Sequence, residues 1–170
     1  MSTIYLRIMT KELSRKYHMH FEMDPDLFMN PNEFRPYVYT EESSDEIVER
    51  YHKLGRIYLA VMLDEEPIGE VILKHINPEE KHCTLGISMR SDQYKNKGYG
   101  TQAEILTLMY AFGELDMKTV FADAIQRNTR SQHVLKKVGF IETHQDDTFR
   151  YYRCDRSNWK HPNKLIEPNT

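Results

Sequence analysis

Lys95-Asn96-Lys97-Gly98-Tyr99-Gly100-Thr101 brings together residue types suited to holding a phosphorylated ligand. Gly98 and Gly100 remove Cβ atoms where a ligand must approach the main chain. They also permit backbone angles that point successive N–H groups into one concavity. A helix predicted to open at Tyr99 adds unpaired N–H groups and the positive end of its dipole, while Lys95 and Lys97 add charge. This is the chemistry of a pyrophosphate cradle. A Gly-x-Gly taken alone also suits a helix entry turn with no ligand. Gly98 to Ala103 matches the dinucleotide fingerprint G-x-G-x-x-A as well, with Asp123 about twenty residues on to hold a ribose. That reading fails on context. In the dinucleotide fold the first glycine directly ends a first strand, whereas here residues 90–97, mostly polar, intervene after Met89, and a strand meander comes first.

The charge balance narrows the partners. Lys and Arg number 23 against 26 Asp and Glu, a net charge of -3, so no basic field exists to hold a nucleic-acid backbone. Residues 22–49 hold nine acids (Glu22, Asp24, Asp26, Glu33, Glu41, Glu42, Asp45, Glu46, Glu49) against Arg35 alone, whereas residues 90–97 carry Arg90, Lys95 and Lys97 against Asp92. An anionic ligand at the basic loop and a cationic one elsewhere fit that division. The longest apolar runs, such as residues 58–63, fall far short of the roughly 20 residues that span a bilayer. No membrane role is expected. The N-terminus lacks a charged, apolar and small-residue leader pattern, so the expected location is the cytoplasm. Cys83 and Cys154 read as two buried thiols, and His18 and His20 lack a third ligand at useful spacing, so no metal is expected.

The elements that must position the loop follow from periodicity. A chain of 170 residues with 39% hydrophobic composition suits one domain, taken as 1–155, with a polar tail at 156–170. Residues 4–9 read as a strand, and Thr10 caps a helix to about Phe21. Ser43 with Glu46 resembles a capping box opening a second helix to about Leu54. Period-two patterning then gives strands at 56–63, 68–76 and 82–89, joined by turns at 64–67 and 77–80, an antiparallel meander. Apolar residues at three- and four-residue steps make 99–116 a largely buried helix. A strand at 119–125, a helix from the Asn128 cap to Val138 ended by Gly139, and a hairpin of 140–144 with 148–154 complete the order β-α-α-β-β-β-α-β-α-β-β. The fold class is mixed α/β, a mostly antiparallel sheet of about seven strands flanked by about four helices.

At this strand-loop-helix junction the sequence resembles the GNAT superfamily of N-acetyltransferases, whose motif Q/R-x-x-G-x-G/A binds the pyrophosphate of acetyl-CoA. Four pieces carry the resemblance: Leu85-Gly86-Ile87-Ser88-Met89 before the loop, Lys95 to Thr101 as the loop, Asn128-Thr129-Arg130-Ser131 opening the next helix, and Val138-Gly139-Phe140 closing it. The Asn-x-x-Ser with a Gly-Phe ending is most similar to the RimJ/RimL-like branch, a pattern shared by polyamine and other small-molecule acetyltransferases. The resemblance implies a single-domain GNAT-like fold and an acetyl-CoA-dependent N-acetyltransferase acting by direct transfer on a primary amine of a small molecule, a polyamine or a protein N-terminus. It further implies that main-chain groups of Ile87, Ser88 and Met89 pair with the pantetheine arm like an added strand. Lys95, Asn96, Lys97, Gly98, Tyr99, Gly100 and Thr101 would form the pyrophosphate loop. Asn128 would reach the arm from across the cleft, and Ser131 would be the acid that protonates the departing thiolate.

Four positions depart from the family pattern. Lys95 replaces Gln or Arg and loses the planar fork of donors. Asn96 replaces a frequent glycine, yet Asn tolerates left-handed backbone. Leu135 stands where many members carry a tyrosine acid and Thr84 where many carry a glutamate. The missing pair leaves a rival reading open, a non-catalytic acyl-CoA-binding or regulatory module. Amine attack on a thioester needs the uncharged amine, whose ordinary pKa is about 10.4, so a base or a water chain must act near neutral pH. Glu70 and Asp123 are the candidate bases, neither assigned. The acidic segment suits a cationic acceptor, and exposed sheet edges allow a homodimer.

Overall fold

The computed structural model describes residues 3–160. In chain order it contains β1 (Ile4–Ile8), α1 (Lys11–Met19), α2 (Glu41–Lys53), β2 (Ile57–Leu63), β3 (Glu66–Asn77), β4 (His82–Met89), α3 (Tyr99–Gly113), β5 (Thr119–Ile125), α4 (Thr129–Val138), β6 (Ile141–Gln145) and β7 (Phe149–Asp155). Single 3-10 turns add Pro25–Leu27, Pro31–Glu33 and Asp92–Tyr94. The expected order, seven strands and four helices are all present. The strands form one sheet in the order β1-β2-β3-β4-β5-β7-β6, antiparallel throughout except for the parallel pair β4 and β5. Among the described residues no helix is long and apolar enough to cross a membrane.

Strand periodicity divides the sheet into two buried faces. Leu59, Val61, Val71, Leu73, Leu85, Val120, Ala122, Tyr152 and Cys154 point to one face, where Ala103, Leu108, Phe112, Leu135 and Val138 of α3 and α4 cover them. Tyr58, Ala60 and Met62 point to the other, under Leu13 of α1 and Ile47, Val48 and Tyr51 of α2. The apolar faces of these helices are the reason they dock, since their own polar residues far outnumber the apolar ones. Cys83 and Cys154 are buried free thiols, as expected, and burial pushes them up to about 11 and about 12.

Three local expectations are corrected. The capping box of α2 is built one turn earlier: Thr40 is the cap, its hydroxyl accepting from Ser43 N at 3.0 Å, while Ser43 Oγ accepts from Thr40 N at 3.3 Å. A serine at the third helical position can answer the cap as a glutamate would. The β2–β3 turn is tighter than the residues 64–67 anticipated, because Leu63 pairs Glu66 and Pro67 already lies in β3. Asp64 adopts φ 53 to close that turn, and a bulge beside Val61 and Met62 accommodates the proline, which has no N–H to give the ladder. The predicted helix to Phe21 stops at Met19, freeing residues 20–24 to cross the end of the sheet.

The start of the expected polar tail is packed. Trp159 packs its ring against Phe112, tilted by 55° at 5.4 Å between centroids, and donates its indole N–H to Val138 O, and Arg156 pairs with Asp116 at 2.7 Å. Residues 161–170 of that tail lie outside the described residues.

Candidate active site

β4 and β5 are hydrogen-bonded only from His82 to Leu85 and from Thr119 to Ala122. Beyond Leu85 they part, each staying paired to its other neighbour, β4 to β3 as far as Met89 and β5 to β7 as far as Ile125. The sheet therefore opens as a V, and residues 86–89 have no strand partner on the β5 side. One lobe of the opening, about 260 Å³, is lined on the α3 and α4 side by Ile87, Ser88, Met89, Gly100, Asn128 and Ser131 among others. A second lobe of about 300 Å³ reaches through to the opposite face and takes in Glu70, Gly86, Asp123 and Leu135. An extended chain can add to the free edge of β4 as a strand adds to a sheet.

At the end of the V stands the N-terminus of α3. Gly98, at φ 81, occupies the cap position, and no side chain caps the helix. The first-turn N–H groups that a Ser or Asp cap would satisfy thus remain for a ligand. Space above Gly100 is open: among the described residues, none beyond its own helix turn comes within 4 Å of where a Cβ would sit. Asn96 takes the left-handed φ of 58 that the loop demands. These features fit a pyrophosphate, held by main-chain donors and the helix dipole. Lys95 serves the loop differently from a free cation: its Nζ lies 3.1 Å from Asp24 Oδ2 and 2.7 Å from Asp92 Oδ1. It pins the loop to the segment after α1.

Two carboxyls meet at the opening from opposite faces. Glu70 of β3 faces α1 and α2, opposite Ser88 of β4, and accepts from the Tyr58 hydroxyl at 2.5 Å. Burial pushes its pKa up to about 7, the Tyr58 hydrogen bond holding it back from going higher. Glu104 of α3 comes from the other side; it is 1% exposed, and burial pushes it up to about 8.

A family profile for the acetyltransferase (GNAT) domain matches residues 3–141. The chain belongs to the GNAT acetyltransferases. Over 105 residues this GNAT chain is 29% identical to spermidine N(1)-acetyltransferase of Escherichia coli strain K12, an overlap of 62% of this chain and 56% of that protein. The chain thus aligns with little more than half the length of these curated relatives. Among solved structures, a spermidine N-acetyltransferase from Vibrio cholerae in complex with CoA and spermine superposes with a TM-score of 0.74 at 17% identity, covering 91% of this chain and 96% of that one. A GNAT-family acetyltransferase from Bacillus anthracis gives 0.73 at 20% identity over 92% and 98%. Both likenesses are of fold.

On this GNAT frame the expected residues separate by how they reach the cleft. Ile87, Ser88, Met89, Lys95, Gly100, Asn128 and Ser131 line it. Tyr99 packs its ring against the core instead, Lys97 points to solvent, and Asn96, Gly98 and Thr101 contribute backbone geometry. Asn128 caps α4, its Oδ1 accepting from Ser131 N at 3.0 Å, which leaves its amide N–H groups for the cleft. Leu135, at the family's tyrosine position, is a 2% exposed core residue. Asp123 is exposed at the lip. Sequence reasoning missed Glu104, Arg130, Leu27 and Phe28, all on the wall of the cleft. Glu104 carried a signal, a lone acid inside an otherwise apolar helical stretch. Much of the acidic segment is already neutralised: Glu41 and Asp45 pair with Arg15, Glu49 with Lys11, and Asp24 with Lys95. Among the described residues no group of three or more His, Cys, Asp or Glu could hold a metal ion.

Proposed function

We propose that this GNAT chain transfers the acetyl group of acetyl-CoA to a primary amine, with a polyamine as the acceptor class. The observation that carries the reading is the V between β4 and β5, with an uncapped helix N-terminus at one end and a half-buried carboxyl, Glu70, facing it from the other side of the sheet. Acetyl-CoA supplies an activated acyl carbon whose thiolate leaves readily. The free edge of residues 86–89 orients the arm, and the first turn of α3 holds the pyrophosphate. Glu70 takes the proton of the acceptor's ammonium, since a carboxyl raised to about 7 is partly ionised near neutral pH and is the strongest base its environment allows. The amine nitrogen then bonds to the acyl carbon as the C–S bond breaks, and Ser131, half-buried on the cleft wall, gives its hydroxyl proton to the departing sulfur and regains one from the acylated nitrogen.

Support for a cationic acceptor comes from the names of the spermidine acetyltransferase relatives and from the carboxyls that remain around the cleft, Glu22, Glu70 and Asp123. A protein N-terminus, the acceptor of the RimJ/RimL-like branch, is the competing acceptor. Exposed Ile8 on β1 and Ile141 on β6 mark the two sheet edges where a homodimer would form.

Titration calorimetry with acetyl-CoA, followed by thiol release against spermidine, spermine, a basic peptide N-terminus and uncharged amines, tests the reading. The expected result is acetyl-CoA binding and release driven best by the polyamines, with kcat/KM falling as salt rises. Binding without release from any amine would point to an acyl-CoA-binding module. No binding would overturn the assignment of the loop.

A further inference from the structure

Glu104 lies one helical turn beyond Gly100, on the same side of α3, so the open end of that helix and this carboxyl face one space. It is one of the few residues common to both lobes of the V, together with Leu27, Ile87, Ser88, Asn128 and Ser131. Its Oε2 is buried and has no hydrogen-bond partner among the described residues. Thr107, one turn further along α3 and equally buried, satisfies itself on Ala103 O at 2.7 Å. A buried oxygen left without a partner costs on the order of 1–3 kcal/mol, and a well-packed fold tolerates that where a ligand completes the bond.

The charged groups around it do not supply that partner. Glu70 and Lys74 of β3, Asp123 of β5, Arg130 of α4, and Glu22, Asp24 and Lys95 of the loops line the same opening, yet none is hydrogen-bonded to Glu104, and burial is the single cause of its raised pKa. Near neutral pH the carboxyl is therefore a neutral acid with one O–H to donate. Resting on the acetyl-CoA reading above, the ligand in this space is the pantetheine arm, an apolar chain interrupted by amide carbonyls.

We propose that Glu104 is a donor-binding residue, its carboxyl O–H giving a hydrogen bond to a carbonyl of the pantetheine arm. Ionisation removes that proton and sets a carboxylate against the carbonyl oxygen, so the protonated form binds acetyl-CoA and the ionised form rejects it. The arm completes a buried side-chain oxygen of the cleft wall that has no partner among the described residues.

Calorimetric titration with acetyl-CoA across about pH 7 to 9, a range in which the phosphates stay ionised, tests this. Adenosine bisphosphate, which shares the nucleotide and lacks the arm, is the companion ligand. The wild type is expected to hold its acetyl-CoA Kd below about 8 and to weaken toward tenfold per pH unit above it. Glu104→Gln keeps a donor and cannot ionise, so its Kd should be flat with pH. Glu104→Leu is expected to bind acetyl-CoA about tenfold more weakly at neutral pH. Adenosine bisphosphate should bind all three proteins alike. Acetyl-CoA affinity that is unaffected in Glu104→Leu, or that tightens as the wild type is made alkaline, would overturn the proposal while leaving the acetyl-CoA reading standing. Failure of the wild type to bind acetyl-CoA at any pH would overturn both.

Discussion

Glu70 differs from Asp123, the other carboxyl read from the sequence as a base, in what surrounds it. Asp123 is exposed at the lip, while Glu70 is enclosed beneath α1 and α2 and tethered to Tyr58. Burial disfavours the ionised form and raises the pKa, and the Tyr58 hydroxyl stabilises it and lowers the pKa, leaving about 7. For an acid acting as base the active form lies above its pKa, so kcat/KM should climb with pH through that value. Glu70→Gln is expected to lower kcat by about 10²–10³ and to remove that limb, with acetyl-CoA affinity unchanged. Tyr58→Phe takes away the lowering contact, so the limb should move to higher pH. A pH–rate profile of the three proteins checks both; a limb that stays in place in Tyr58→Phe and a full rate in Glu70→Gln would assign the base elsewhere. The sequence offered two strand carboxylates of equal standing. What separated them was the register that sets Glu70 beside Ala60 and two residues from the Tyr58 pairing of Ile72, on the same face, a non-local fact no local pattern carries.

α4 shows how one element serves both packing and binding. Its cap at Asn128 and its stop at Gly139, in the left-handed region at φ 116, were legible because each is a local signal with a local cause. The α2 cap was misplaced because Ser43 is chemically able to start a helix, and only the chain's extended approach at Thr40 decides between them. Trp159 was read as part of a tail since nothing nearby in sequence announces that it packs on Phe112, far back in α3. Asn128 splits its two roles between atoms: Oδ1 holds Ser131 N, and the amide nitrogen is left for the cleft. Asn128→Ala should cost about 1 kcal/mol of stability through the lost cap. Asn128→Asp restores the cap oxygen and offers no N–H, so thermal unfolding should recover while acetyl-CoA affinity does not. Recovery of both would mean that Asn128 acts on the ligand only by holding α4.

Across the whole molecule, opening a sheet to make a cleft leaves two acids poorly solvated, Glu104 buried and Glu70 half-buried. Their raised pKa values of about 7 and about 8 make folding a proton-binding event. An ordinary glutamate in the unfolded chain is ionised well below these values, so above that the folded state holds more protons and stability falls as pH rises. His18, whose pKa burial lowers from 6.5, works in the opposite sense, because the unfolded chain takes up its proton first on acidification. The carboxyl effect therefore dominates above about pH 7, where His18 is mostly neutral in both states, and below about pH 8, before the thiols of the unfolded chain ionise. Urea unfolding across that window should show the wild type losing on the order of 1–2 kcal/mol. Glu104→Gln should flatten most of the slope and Glu70→Gln the remainder. Stability that rises with pH in the window would mean both acids are ionised in the folded protein, and Glu104 could not then be the donor to the acyl carrier. The same slope should steepen and extend to higher pH in wild type saturated with acetyl-CoA, because a ligand that binds the protonated form keeps in the folded state a proton that the unfolded chain has already lost.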